Sequence, residues 1–150
     1  MMNVLNKNLD LLGAVTAVLF FVSAILVFSF RLAGKPQVGF WIGIFELCLA
    51  APLIYLLAKA PALHRSTIYY IQICCMLLWL IVELLLDYLL KFDFRQVRWM
   101  VVSYVVLFFA GSGGLLGIAT QAGRGWSIAS IALFLIMAVL TFVQRAVTGM

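Results

Sequence analysis

The sequence predicts an all-α integral membrane protein: a compact bundle of five transmembrane helices joined by short loops. Two observations carry this. Of the 150 residues, 67% are hydrophobic and only 10% charged, whereas a soluble domain carries ~25% charged residues. Five runs, at about 10–30, 38–58, 67–90, 97–119 and 126–144, each approach the ~20 apolar residues that cross a bilayer. Lipid accepts only helices and closed barrels, and barrel strands would alternate in polarity, which these runs do not. A single domain, 1–150, accounts for the chain.

The first run follows a short polar tail, where Asn8 or Asp10 is placed to cap a helix. It is too long for the ~7–15-residue apolar region of a signal peptide, so it reads as a retained first span. Gly13, Ala17, Phe20 and Ala24 share one of its faces, and Ser23 is its mid-depth polar group. The loop RLAGKPQ offers Gly34 for a turn and Pro36 for the start of the second span. There Gly39, Gly43, Glu46 and Ala50 align, a G-x-x-x-G packing face with an acid in it. Pro52 removes a backbone donor just past that acid and should kink the helix.

A hairpin, KAPALHRS, leads to the third span, with Ser66 or Thr67 as its cap. Its lone His64 reads as a solvated loop residue. The third span, TIYYIQICCMLLWLIVELLLDYLL, places Glu83 and Asp87 inside an apolar run. Wound at ~100° per residue, Tyr69, Gln72, Met76, Glu83 and Asp87 fall within about 60° of one another. An ionised carboxylate costs about 2.5 to 3.5 kcal/mol at the centre of a membrane helix. This stripe is therefore expected to face protein or water.

The loop KFDFRQVR is an aromatic belt with snorkelling cations, and Lys91 lies within i,i+4 reach of Asp87. The fourth span contains Ser103 and Tyr104 near its start and then AGSGGLLG. Gly113 and Gly117 read as a second close-packing face; a locally unwound segment offering carbonyls to a ligand is the sharper alternative. No nucleotide fingerprint is present, since position 116 is Leu116. QAGRG is a tight turn into the last span, which Trp126 anchors. A short likeness between 33–44 and 122–130 suggests inverted pairs flanking the third span.

Charge sets orientation. Lys7, Lys59, Arg65 and Arg124 fall on one side; Arg31, Lys35, Lys91, Arg95, Arg98 and Arg145 fall on the other. The excess favours a cell (inner) membrane protein with its N-terminus outside and its C-terminus cytoplasmic. The net charge of +5 sits at helix ends, which is not a nucleic-acid patch. Cys48, Cys74 and Cys75 lie within spans and read as apolar fillers. One histidine cannot supply a bis-His haem, and zinc-ligand spacings are absent, so neither metal nor cofactor is expected.

Depth gathers the polar groups. Glu46 is about 15 Å from Pro36 and Glu83 about 12 Å from Lys91, at 1.5 Å per residue. Adjacent antiparallel helices would hold both acids at one level, in a pocket between the second and third spans on the basic side. Two facing carboxylates could not both ionise cheaply; one would keep a proton, or a cation would bridge them.

The expected function is binding, with transport as an extension, of a small ligand or cation at Glu83 and Glu46. Asp87, Tyr69, Gln72, Ser103 and Tyr104 would assist. Two other readings stay open: an accessory or oligomer-forming subunit packing on a partner membrane subunit through Gly39/Gly43 and Gly113/Gly117, and a lipid or isoprenoid enzyme using carboxylate acid–base chemistry. The absence of nucleophile or metal motifs leans against an enzyme.

Overall fold

Helices of the expected number fill the computed structural model, which describes residues 2–149. They are α1 (Met2–Leu32), α2 (Pro36–Cys48), α3 (Ala50–Lys59), α4 (Thr67–Glu83), α5 (Arg98–Thr120) and α6 (Arg124–Thr148). With α2 and α3 taken as one unit, and α4 extended through the turn that follows it, five helices are long and apolar enough to cross a membrane. No strand occurs among the described residues. Large apolar side chains cover the outside, Trp41, Trp99, Val139 and Phe142 among them.

The first helix departs from expectation at its start. The polar tail is helical from Met2, so Asn8 and Asp10 lie within α1 instead of capping it. Leu9 in this extension is buried against the core, which holds the extra turns in place. Asp10 instead receives Arg65 at 2.5 Å. That guanidinium also donates to Gln121 at 2.7 Å and lies over the Tyr69 ring, 5.0 Å from its centroid. One cation thus ties α1, the α3–α4 hairpin and the end of α5 together, on the side away from the basic loops.

The centre of the bundle is α1, which packs on α2, α5 and α6, while α4 packs on α5 and α3. The suggested arrangement of inverted pairs around the third span is therefore not the one seen. Ser66 takes the N-cap position of α4 without a side-chain bond. The helix of the second span is interrupted at Leu49, because Pro52 cannot donate to the carbonyl of Cys48. Both halves pack on α1, and α3 reaches α4 as well.

Glycines set the α4–α5 seam. A Cβ at Gly114 would lie 2.9 Å from the Gln72 carbonyl oxygen, and one at Gly111 would lie 3.2 Å from Met76 Cα. The two backbones are in contact there. The AGSGGLLG segment is continuous helix, not unwound. Of the pair read from the sequence, Gly117 faces the Gln72 side chain, and Gly113 has no neighbour within 4 Å. The closest approach shifts to Gly111 and Gly114. Gly39 and Gly43 are both used inside the chain, against Val27 and Arg31 and against the Tyr88 hydroxyl.

Candidate functional site

The α4–α5 seam runs in antiparallel register. Gln72 meets Gly114, Met76 meets Gly111, Trp79 meets Phe108 with centroids 5.2 Å apart, and Glu83 meets Tyr104. The stripe read from the sequence is thus a packing face for most of its length. Only its last turns turn inward to a cavity. There the α-helix gives way to a π-turn, Leu84–Leu89, closed by Leu90 N–H donating to Leu85 at 2.8 Å. Such single π-turns are frequent at functional sites. The widened turn sends Tyr88 across to α2, where its hydroxyl donates to the Phe40 carbonyl at 3.1 Å and its ring lies 4.9 Å from that of Phe40.

The basic-side half of the bundle encloses a cavity of about 660 Å³. Its walls come from all five spans. Glu46 of α2 and Glu83 of α4 both line it, at 5% and 7% exposure, so the two acids share one chamber. Tyr104, half-buried, donates its hydroxyl to Glu83. Ser23 stands beside Glu46, yet Glu46 Oε1 has no hydrogen-bond partner, and neither has the indole Nε1 of buried Trp79. Buried polar groups are paired in the great majority of cases. The side-chain oxygen of Gln144, on the same wall, is the third such atom.

Toward the basic loops, Arg31, Asp87, Asp93, Arg95 and Arg145 form the mouth. Asp87 is held by Arg95 at 3.0 Å and not by Lys91, which sits past the π-turn at φ +48°. Burial works against the charge of Arg95, but the hydrogen bond and the charge of Asp87 outweigh it and hold the guanidinium above its usual pKa. Arg31 is close enough to act electrostatically on both Glu46 and Glu83.

Of the residues named from sequence, Glu46, Glu83, Asp87 and Tyr104 are brought together. Three are not. Tyr69 is buried at the opposite side, under Arg65. Gln72 is spent against Gly114 and Gly117. Ser103 is exposed on the outer surface of α5, one residue from Tyr104 and so turned away by ~100°. Those three share a face or a depth with the acids, but not both. The sequence reading missed Arg31, Tyr88 and Arg95 as wall residues. For Arg31 the signal was available: it ends α1 one loop before the acid-bearing helix.

Among the described residues no group of three or more His, Cys, Asp or Glu side chains is gathered as a metal site would need. Comparison with protein-family models, curated proteins and solved structures gives no match to the chain.

Proposed function

We propose that this chain is a five-helix membrane protein that binds, and moves, a small ligand or cation at the carboxylates of Glu46 and Glu83. The cell inner membrane with the C-terminus cytoplasmic is the setting, on the excess of Lys and Arg at the cavity mouth. The observation that carries the reading is the unpaired Oε1 of Glu46, a residue 5% exposed, on a chamber wall shared with Glu83. Keeping an acid unpaired in an apolar setting costs several kcal/mol; a bound group with positive charge or N–H donors removes that cost. A chamber of this size fits the ~300–1,000 Å³ range of small-molecule sites. The test is binding of a simple arylalkylamine, para-methylbenzylamine, to the purified chain across pH. Binding is expected to vary with pH in the parent and to be lost in Glu83→Gln and Glu46→Gln that keep their helical spectrum. Unchanged binding and an unchanged pH profile in both variants would make the acids structural.

A second reading has one observation in its favour. The Gly113 face of α5, with exposed Ala110 beside it, is unoccupied by the chain itself. It suits close approach by a second membrane helix. Cysteine cross-linking at position 113 in native membranes tests it: a stoichiometric adduct supports a subunit role, and an uncross-linked monomer refutes it.

A further inference from the structure

The charges on the cavity wall are sorted by depth. On α1 the inward order is Arg31, Phe28, Ala24; on α6 it is Arg145, Phe142; on α2 it is Phe40, then Glu46. The carboxyl groups of Glu46 and Glu83 stand at the floor, aromatic rings lie above them, and at the mouth the three guanidinium groups of Arg31, Arg95 and Arg145 outnumber the two carboxylates of Asp87 and Asp93. Among the described residues, neither Arg31 nor Arg145 has a carboxylate within 4.0 Å, the ion pairs being Arg65–Asp10 and Arg95–Asp87. The floor likewise holds no ion pair, and Glu46 Oε1 is unpartnered. A bare cation would satisfy the floor, but it would leave two guanidinium charges facing it from the mouth. An anion would satisfy the mouth and be repelled by the floor.

We infer that the ligand is a zwitterion with an apolar body: an ammonium group at Glu46 and Glu83, and a carboxylate or phosphate at Arg31 and Arg145. The inference rests on the binding reading above and adds the second anchor. Electrostatic complementarity of this kind fixes orientation and rejects ligands that carry one charge alone. The spacing follows from helix geometry. Arg31 Cγ lies 3.8 Å from the Cβ position of Gly39 on α2, and Glu46 lies seven residues deeper on that helix, a separation in depth of roughly 10 Å. That distance spans an aromatic ring with one carbon on each side. The wall it would lie along is aromatic: Phe28 and Phe108 meet at 6.1 Å, and Trp79 and Tyr104 at 6.2 Å. Rings there take an ammonium by cation–π contact as well as an apolar body.

The experiment is calorimetric titration of the full chain, in a non-ionic detergent, with three matched probes. These are para-(aminomethyl)phenylacetate, para-methylbenzylamine and para-tolylacetate, which carry both charges, the cation and the anion respectively. The zwitterion is expected to bind at least tenfold more tightly than the amine, and the anion more weakly than either. Arg31→Gln with Arg145→Gln should abolish the preference, weakening the zwitterion while the amine, freed of two opposing charges, binds somewhat more tightly. Arg31→Lys, which keeps the charge, should preserve most of the preference. An amine that binds as tightly as the zwitterion, or a preference untouched by the arginine variants, overturns the second anchor and leaves the carboxylate site standing. Binding of neither the zwitterion nor the amine to a folded protein overturns both.

Discussion

A methyl group added at Gly114 would point at the backbone of Gln72, 2.9 Å from its carbonyl oxygen and 3.1 Å from its Cα. Backbone atoms cannot rotate away as a side-chain tip can, so Gly114→Ala must push α4 and α5 apart by some tenths of an ångström. Overpacking of this kind costs about 1–3 kcal/mol. Against it stands the better helix propensity of alanine, about 1 kcal/mol. The same propensity gain operates at Gly113, one residue away, where a methyl meets nothing within 4 Å. The difference between the two alanine variants therefore isolates the packing cost, about 1–3 kcal/mol in disfavour of Gly114→Ala. Reversible unfolding of the purified variants in mixed dodecyl maltoside and dodecyl sulfate, followed by circular dichroism, measures it. The seam is in register down to Glu83 and Tyr104, so Gly114→Ala should also weaken ligand binding while Gly113→Ala leaves it alone. Equal stabilities for the two variants would refute the close backbone approach and the register built on it.

Other substitutions test the site from different sides. Tyr104→Phe removes the donor to Glu83 and should destabilise by about 1–3 kcal/mol, the cost of stranding a buried acceptor, in the same unfolding assay. Ser103→Ala, on the outer face, should stay within about 0.5 kcal/mol; a large loss there would put the rotation of α5 in error. Arg65→Ala removes a contact to each of Asp10, Gln121 and Tyr69. It should cost roughly 1.5–3 kcal/mol, as hydrogen bonds to charged groups do, and raise hydrogen exchange at the α3–α4 hairpin. Pro52→Ala restores a donor for Cys48 and should straighten the second span, with a gain in thermal stability and a fall in amine binding; a straightened helix that binds as before would detach the cavity from the break.

The helix count and the burial of Glu83 were open to a reader of the sequence, for the same reason. A charge inside a long apolar run is expensive wherever the run folds, so position alone marks it. Depth reasoning then paired Glu46 with Glu83, because loop lengths fix how far along each helix a residue sits. Rotation about the axis is set by something else. Whether α5 presents Ser103 or Tyr104 depends on which glycine face meets α4, and Gly111–Gly114 wins over Gly113–Gly117 only when the facing residues Gln72 and Met76 are known. The Glu83–Asp87 stripe misled in one respect, since sharing a face with Tyr69 says nothing about sharing a level with it. The π-turn was not legible at all. It inserts one residue into the turn that carries Tyr88, and no residue in LLLDYL requires it.

The Arg65 knot has a bearing on transport. Below the two acids the interior is closed by edge-on rings, Phe20 against Trp79 at 5.6 Å and Trp79 against Phe108 at 5.2 Å, and beyond them Arg65 laces three hairpin ends together. The bundle in this state is a cup with one lip. Under the proposed transport, cargo leaving by the far side requires the ring stopper to tilt and the lacing at Arg65 to come undone. On that proposal the work of the cycle falls at the base of the cup, some distance from Glu46 and Glu83.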